Sequence, residues 1–279
     1  MMLRSVLYAP GHKDRVLAKA LTTGADAVIF DLEDAVAPAT KPAARQQVLA
    51  ALQASSGSRV TRTVRINAPH SVWWREDLAT VLPGQPDAIV IPKVERADDL
   101  DAIAHNCGDL PLWAMIESPL GVLHAAAIAA HPRVTVLIAG TSDLSEQLHV
   151  ELQQDRLPLL LVLQQLVLAA RAAGVLVLDG VFLNIHDDDG FRRQCIEAVR
   201  FGFDGKTVIH PSQVEAANTL FTPSAEQVAH AQRIMTAWSE ADGRGEAICL
   251  LDGRLVEQLH MRDAARILAL WQSIADRTA

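Results

Sequence analysis

Eight short apolar runs recur along the first 210 residues of the chain, and segments with helical patterning separate them. Most of these runs are continuous rather than alternating, which is typical of parallel strands covered on both faces. Eight strand–helix repeats predict an α/β fold, a TIM (β/α)₈ barrel, with an open doubly wound sheet as the alternative. The predicted strands are residues 5–9, 27–32, 63–67, 88–92, 112–116, 134–139, 175–179 and 207–210. The predicted helices between them are residues 14–22, 41–55, 97–104, 120–130, 158–173 and 190–201.

The pattern changes after Pro223, where the strand–helix alternation stops. Residues 225–240 and 260–275 have helical patterning with a glycine-containing break between them. We therefore expect the barrel in residues 1–222 and a C-terminal helical extension in residues 223–279. Because the extension is too small for a core of its own, we expect it to pack on the barrel, close over its mouth as a lid, or reach a neighbouring subunit.

Charge and composition exclude several classes of protein. The net charge of −8 and the scattered Lys and Arg residues argue against a nucleic-acid-binding surface. The three cysteines lie far apart without metal-ligand spacing, so reduced thiols are expected. The most apolar stretch, residues 157–178, contains Pro158 and Arg171, whereas a membrane span needs about 20 nearly uninterrupted apolar residues. We expect a cytoplasmic protein that binds neither nucleic acid nor membrane.

Polar and charged side chains follow nearly every predicted strand. In a (β/α)₈ barrel, functional groups lie at the C-terminal ends of the strands and in the loops just after them. A purely structural barrel has no need for several carboxylates, an arginine and a lysine at that rim. The candidates in chain order are Asp31, Glu33, Asp34, Arg65, Asn67, Lys93, Glu117, Ser118, Thr141, Ser142, Asp143, Asp179 and His210.

Glu117 and Asp143 are the strongest candidates for a metal site. They follow adjacent predicted strands, so their carboxylates can meet at one point. Carboxylate oxygens suit Mg²⁺, or alternatively Mn²⁺, with water and substrate completing an octahedral set of ligands. The alternative is that each acid only caps the helix that follows it. We favour the metal because Arg65 is expected opposite the two acids.

The remaining charged groups leave more than one role open. Because alternate strand residues point in opposite directions, we expect that Asp31, Glu33 and Asp34 cannot all face the site. Glu33 and Asp34 can hold metal-bound waters or form ion pairs with a basic rim residue. Arg65 can bind a substrate carboxylate or stabilise an oxyanion, with a salt bridge to Glu33 or Asp34 as the alternative. Lys93 is expected to form a structural ion pair rather than a Schiff base.

Six segments carry motifs that occur together in one known order. They are RSVLYAPG at 4–11, GADAVIFDLEDAV at 24–36, RIN at 65–67, PKVE at 92–95, IESPLGV at 116–122 and GFDGKTVIHPSQ at 202–213. Together they resemble the citrate lyase β-subunit-like family of the HpcH/HpaI aldolase/citrate lyase superfamily. The resemblance runs from residue 4 to about residue 235, and the last segment is similar to the family's most diagnostic one.

This resemblance implies a barrel of the phosphoenolpyruvate/pyruvate type that usually assembles as a trimer. It also implies Mg²⁺ on Glu117 and Asp143, with Arg65 on a substrate oxygen. Family substrates are β-hydroxyacyl thioesters such as malyl-CoA, citramalyl-CoA or citryl thioesters. They are cleaved to an acyl thioester and a keto acid.

The implied reaction also needs groups that bind the acid's carboxylate and transfer a proton. Backbone N–H groups of Gly140, Thr141 and Ser142 are expected to bind the carboxylate. Malyl- and citramalyl-CoA lyases are expected to carry a proton-transferring aspartate in a C-terminal lid. The best match puts Glu257 at that place in this chain. Asp252 is a weaker alternative, and so is a role for both residues only in flanking a helix.

Three functions remain in competition at this point. The first is a Mg²⁺-dependent carbon–carbon lyase acting on a hydroxyacyl-CoA, as a homotrimer or higher homo-oligomer. The second is a metal-dependent aldolase using free pyruvate- or oxaloacetate-type keto acids. The third is a non-catalytic acyl-CoA-binding subunit. The sequence leaves open both the acyl group and its carrier, CoA or an acyl carrier protein.

Overall fold

The computed structural model describes residues 2–151 and 155–278. In this part of the chain, eight parallel strands form a closed barrel, each paired with its neighbours in sequence order. The predicted TIM barrel is confirmed, and closure rules out the open doubly wound sheet. The strands are β1 (Ser5–Pro10), β2 (Ala27–Asp31), β3 (Thr61–Arg65), β4 (Ala88–Ile91), β5 (Leu112–Ile116), β6 (Val134–Ala139), β7 (Leu176–Asp179) and β8 (Gly205–Val208).

Helices follow the strands and surround the barrel. They are α1 (Asp14–Ala20), α2 (Lys41–Ala54), α3 (Trp74–Val81), α4 (Asp98–Asn106), α5 (Pro119–Leu123), α6 (Ala125–Ala129), α7 (Thr141–Gln147), α8 (Leu160–Ala173), α9 (Asp188–Phe201) and α10 (Ser212–Leu220). Short 3₁₀ turns at Pro38–Thr40, Leu82–Gly84 and Leu157–Leu159 precede or extend three of them.

Side chains from alternate strand positions fill the barrel interior. Ala27 and Ile29 on β2, and Ala88 and Val90 on β4, belong to one buried cluster that also contains Trp113. Residues two apart on a strand share a face, so these positions point inward together. Because the interior is packed rather than open, a ligand site has to lie at the mouth of the barrel.

The barrel closes where β8 pairs with β1. Ser5 pairs with Lys206 in this parallel register. A Cβ at Gly205 would lie 1.7 Å from the carbonyl oxygen of Leu3. A larger residue at position 205 would therefore push the two closing strands apart.

The predicted strands differ from the observed ones by at most two residues at either end. The helix predicted at 120–130 is instead two short helices, α5 and α6. They are separated at His124, which has a non-helical backbone and whose Nδ1 lies 2.8 Å from the carbonyl oxygen of Glu95. The helices α3, α7 and α10 were not predicted.

The chain forms two compact units. The first is the barrel, Leu3–Thr219, and the second contains Met2 and the segment from Leu220 onward. In the second unit, helices α11 (Ala225–Asp242) and α12 (Gln258–Thr278) pack on each other. Between them lies an antiparallel hairpin of β9 (Cys249–Leu251) and β10 (Arg254–Val256) that was not predicted. Among the described helices, none has the length and apolar character needed to cross a bilayer.

Candidate active site

A cavity of about 430 Å³ opens at the C-terminal ends of the barrel strands. Most of the residues predicted for the site line it. They are Asp34, Arg65, Glu117, Gly140, Thr141, Ser142 and Asp143. The structure therefore brings the two acids proposed as metal ligands and the arginine proposed for the substrate into one space.

Glu117 follows β5 directly and its carboxylate lines the cavity. Its Oε1 accepts a 2.7 Å hydrogen bond from the backbone N–H of Lys93. The cap of α5 is Ser118, whose Oγ accepts a hydrogen bond from the backbone N–H of Gly121. Glu117 therefore has no capping role, and its carboxylate is left to the cavity.

Gly140 allows Glu117 to lie directly against the backbone that follows β6. A Cβ at position 140 would lie 2.3 Å from the Cβ and 2.8 Å from the Oε2 of Glu117. Gly140 is also the N-cap residue of α7, with no side-chain cap. Asp143 lies in the first turn of that helix, where a carboxylate also stabilises the helix N-terminus, so this alternative role stays a prediction beside metal binding.

The acids in this cavity raise one another's pKa. Burial, followed by the carboxylates of Glu33 and Asp143, raises the pKa of Glu117 to about 8. Burial and the carboxylate of Asp34 raise the pKa of Asp143. The site therefore concentrates negative charge on oxygen atoms, an environment that a divalent cation would neutralise.

The donor set fits Mg²⁺ better than a structural metal. Within the described residues, no three His, Cys, Asp or Glu side chains form a group that could hold a metal by themselves. Two carboxylates leave the other coordination positions to water and substrate. This is the usual arrangement for Mg²⁺, whereas a structural zinc has four protein ligands.

Arg65 is held by the three acids at the end of β2. Its Nε and Nη2 donate 2.7 Å hydrogen bonds to the two carboxylate oxygens of Asp31. Its Nη1 lies 3.0 Å from Oε2 of Glu33 and 3.7 Å from Oδ2 of Asp34. All three acids reach Arg65 because β2 ends at Asp31 and the chain turns there. Asp31 and Asp34 are among the cavity-lining residues. That the three acids cannot all face the site stays a prediction. Backbone N–H groups of Glu33 and Ala35 donate to the Asp31 carboxylate and fix that turn.

Lys93 connects Glu33 to Glu117. Its Nζ lies 2.8 Å from Oε1 of Glu33, so the predicted ion pair is present. Its backbone has a left-handed φ of 55°, and its N–H donates to Glu117. That Glu33 and Asp34 hold metal-bound waters stays a prediction.

Sequence reasoning missed one aromatic residue and the aliphatic part of the cavity. The ring of Tyr8 lies 5.0 Å from the guanidinium carbon of Arg65. Tyr8 shares the inward face of β1 with Val6, and this alternation was the signal that could have found it. Aliphatic residues after strands carry no chemical signal, and three of those that line the cavity are Val181, Leu183 and Ile209.

Two further predicted residues are Glu257 and His210. Glu257 follows β10 in the second unit, where its backbone N–H donates a 3.0 Å hydrogen bond to Nδ1 of His260. Its role in proton transfer stays a prediction. His210 lies at the rim of the barrel, with 2.8 Å between its Nδ1 and the Oγ of Ser212.

Asp179, at the end of β7, is turned away from the cavity into a buried ion network. One carboxylate oxygen accepts a 2.6 Å hydrogen bond from Lys206, and the other accepts one of 2.6 Å from Arg156. All three side chains are buried. Asp179 is therefore a structural residue of the β7–β8 side of the barrel.

Comparison with known proteins decides the family. The sequence profile of the HpcH/HpaI aldolase/citrate lyase family matches residues 4–211. The chain belongs to this family. The predicted resemblance is confirmed, and so is the prediction of an enzyme of the carbon–carbon lyase type.

Two groups of relatives cover nearly the whole chain. It is 45% identical to a (3S)-malyl-CoA thioesterase of Cereibacter sphaeroides, over 98% of this chain and 95% of the relative. It is 34% identical to the citrate lyase subunit beta of Escherichia coli, over 91% of this chain and 88% of the relative.

Solved structures of similar fold include two from Mycobacterium tuberculosis. CitE in complex with magnesium, acetoacetate and coenzyme A has a TM-score of 0.78 and 31% identity, covering 96% of this chain and 97% of that one. A citrate lyase beta subunit complexed with oxaloacetate and magnesium has a TM-score of 0.69 and 32% identity, covering 80% and 98%. Magnesium in both agrees with the predicted cofactor.

Proposed function

We propose that this protein is a Mg²⁺-dependent carbon–carbon lyase that cleaves a β-hydroxyacyl-CoA of the malyl, citramalyl or citryl type. The observation that most supports this is the pair of carboxylates, Glu117 and Asp143, in one cavity with a fixed Arg65. The names of the relatives, which refer to malyl-CoA, coenzyme A and citrate lyase, support a CoA thioester as substrate.

The bond that breaks joins the hydroxyl-bearing carbon to the carbon beside the thioester. Mg²⁺ held by Glu117 and Asp143 would lower the pKa of the substrate hydroxyl and fix its geometry. Arg65, kept in place by Asp31, donates hydrogen bonds to that oxygen as the hydroxyl loses its proton to water at the mouth of the cavity and becomes a carbonyl. The electron pair of the broken bond passes to the thioester enolate. The enolate takes up a proton and leaves as the acyl thioester.

The remaining roles in this proposal follow from the chemistry of the reaction and from the resemblance to the family. Backbone N–H groups of Gly140, Thr141 and Ser142 bind the carboxylate of the keto acid. Glu257, in the C-terminal segment acting as a lid, delivers the proton to the enolate. The enzyme works in the cytoplasm as a homotrimer or a higher homo-oligomer.

Thioester hydrolysis is the second candidate, because the 45% identical relative is named a (3S)-malyl-CoA thioesterase. It would use the same cavity and the same substrate class. The bond that breaks would be the carbon–sulfur bond, with water attacking the thioester carbonyl. The products would be the free hydroxy acid and the CoA thiol.

Incubation of (3S)-malyl-CoA with the protein and Mg²⁺ separates the two reactions, because their products differ. We expect acetyl-CoA and glyoxylate, detected by chromatography and as the phenylhydrazone. Malate with stoichiometric free thiol would instead establish hydrolysis and overturn the lyase.

Two variants and two further substrates complete this test. Glu117→Ala should abolish turnover, whereas Glu146→Ala, which removes an exposed acid of α7, should retain it. Turnover of free hydroxy keto acids alone would favour the aldolase. Binding of CoA esters without any turnover would favour the non-catalytic subunit.

A further inference from the structure

The cavity has an acidic side and an aliphatic side. Loops after β5 and β6 supply Glu117 and Asp143, whereas residues after β7 and β8 supply Val181, Leu183 and Ile209. We call these three aliphatic residues the β7–β8 wall. In an eight-strand ring closed in sequence order, β7 lies across the mouth from β3, the strand that carries Arg65. A substrate held by the acids and Arg65 therefore has its remaining groups directed toward this wall or out of the mouth.

The β7–β8 wall offers no cation for a second carboxylate. Among the cavity-lining residues that the structure describes, Arg65 alone is positively charged, and it lies on β3, across the mouth from this wall. Lys206 on β8 is fully buried, with its Nζ on the carboxylate of Asp179 and the carbonyl oxygen of Gly180. An additional carboxylate of the substrate would therefore lie against apolar side chains without gaining a cationic partner.

The three candidate substrates differ at this point. The hydroxyl-bearing carbon carries a hydrogen in malyl-CoA, a methyl group in citramalyl-CoA and a carboxymethyl group in citryl-CoA. We infer that the site accepts the malyl and citramalyl esters and rejects the citryl ester, because only the last places an unpaired carboxylate against the β7–β8 wall. This inference rests on the substrate class of the proposed function. Since a carboxylate without a cationic partner is unfavourable beside apolar side chains and in a cavity lined by Asp31, Asp34, Glu117 and Asp143, we expect kcat/KM for the citryl ester to be lower by about 100-fold or more.

Two measurements on the wild-type protein test this selectivity. The first is kcat/KM for the three CoA esters at saturating Mg²⁺. The second is calorimetric binding of glyoxylate, pyruvate and oxaloacetate at fixed free Mg²⁺, which needs no turnover. We expect pyruvate to bind at least about tenfold more tightly than oxaloacetate. A kcat/KM for citryl-CoA within threefold of that for malyl-CoA would overturn the inference. Tighter binding of oxaloacetate than of pyruvate would overturn it as well.

A positively charged side chain on the β7–β8 wall should change the order in which the site prefers the CoA esters. Leu183 is 66% exposed at the rim, so the Leu183→Lys variant should fold. A new ion pair with the added carboxylate should raise the ratio of kcat/KM for the citryl ester to kcat/KM for the malyl ester by about tenfold. Leu183→Met changes the shape without adding charge and should keep the wild-type order. Ile209→Lys provides a second position on the same wall. Unchanged ratios in both lysine variants would contradict the inference.

The outcome for selectivity is separate from the outcome for the reaction. Hydrolysis of malyl-CoA with the citryl ester still rejected would overturn the lyase and support the wall as the selective element. Cleavage of malyl- and citryl-CoA at similar rates would support the lyase and overturn the selectivity. If no ester is turned over, the relative affinities for pyruvate and oxaloacetate decide whether the inferred selectivity holds.

Discussion

Glu117 is positioned by backbone atoms on two sides rather than by other side chains. The N–H of Lys93 bonds its Oε1, and the bare Cα of Gly140 lies against its Cβ. Neither contact can be read from residue type, because both depend on how β4, β5 and β6 end relative to one another. The sequence therefore identifies the acid, whereas only the structure shows which contacts orient its carboxylate.

Gly140→Ala should disable the site without unfolding the barrel. The new Cβ would lie 2.3 Å from the Cβ of Glu117, so the carboxylate must move. A displacement near 1 Å at a reacting centre costs about 100-fold in rate. We expect weaker Mg²⁺ binding by calorimetry and a similar loss of kcat. Gly243→Ala, where the nearest atom is 3.4 Å from the new Cβ, is the control and should leave both unchanged.

The strained backbone of Lys93 can be separated from its side chain with two variants. Both Lys93→Ala and Lys93→Gly remove the ion pair with Glu33. At a φ of 55°, glycine avoids the left-handed penalty that alanine keeps. Lys93→Gly should therefore be more stable than Lys93→Ala by about 1 kcal/mol in urea unfolding. Equal stabilities would show that the left-handed conformation carries no strain.

At the scale of elements, apolar periodicity predicted the strands well because parallel barrel strands are buried on both faces. It failed for α3, α7 and α10, which are short or lie in loops where caps and turns decide the structure. It carries no information on Glu33 and Asp34, since strand alternation ends at Asp31 and the turn there brings both acids back to Arg65. The β9–β10 hairpin has strands of only three residues each, too short for an alternating pattern.

The ion network at the end of β7 should dominate the stability of that side of the barrel. Asp179 lies 2.6 Å from both Arg156 and Lys206. Burial alone would raise the pKa of Asp179, but Lys206 and Arg156 outweigh it and hold the pKa below its usual value. Asp179→Asn leaves buried positive charge uncompensated, which typically costs about 3–5 kcal/mol at neutral pH.

The same network predicts how the free energy of unfolding depends on pH. Because the pKa of Asp179 is lower in the folded state, its stabilisation is complete above the unfolded pKa of about 4 and is lost as the pH falls through the folded value. The difference in unfolding free energy between the wild type and Asp179→Asn should be constant from pH 8 to 5 and should narrow below about pH 4. Urea titrations at each pH measure it, with exposed Asp109→Asn as the control. A difference that widens in acid would contradict the assignment.

For the whole molecule, Mg²⁺ should act as a stabilising ligand even without substrate. A ligand that binds only the folded state at 100 times its Kd adds about 2.7 kcal/mol, which corresponds to several degrees in the unfolding temperature. Differential scanning fluorimetry with MgCl₂, against NaCl at equal ionic strength, measures the shift. Glu117→Ala should remove it and Glu146→Ala should keep it. The same shift in Glu117→Ala would place the cation elsewhere.

Family and fold were within reach of the sequence, since the motifs from residue 4 to 213 mark nearly every strand end of the barrel. The β7–β8 wall could not be predicted from the sequence, because the aliphatic character of a residue does not indicate which cavity it faces. Selectivity is thus the part of this protein that required three-dimensional information.

The seam between β1 and β8 has a consequence for how the protein is made. Ser5 and Lys206 pair across it, although they stand near opposite ends of the barrel sequence. During synthesis the barrel therefore cannot close, and β1 lacks its second neighbouring strand, until β8 has emerged from the ribosome. Such long-range pairing slows folding and leaves strand edges exposed to aggregation in the meantime.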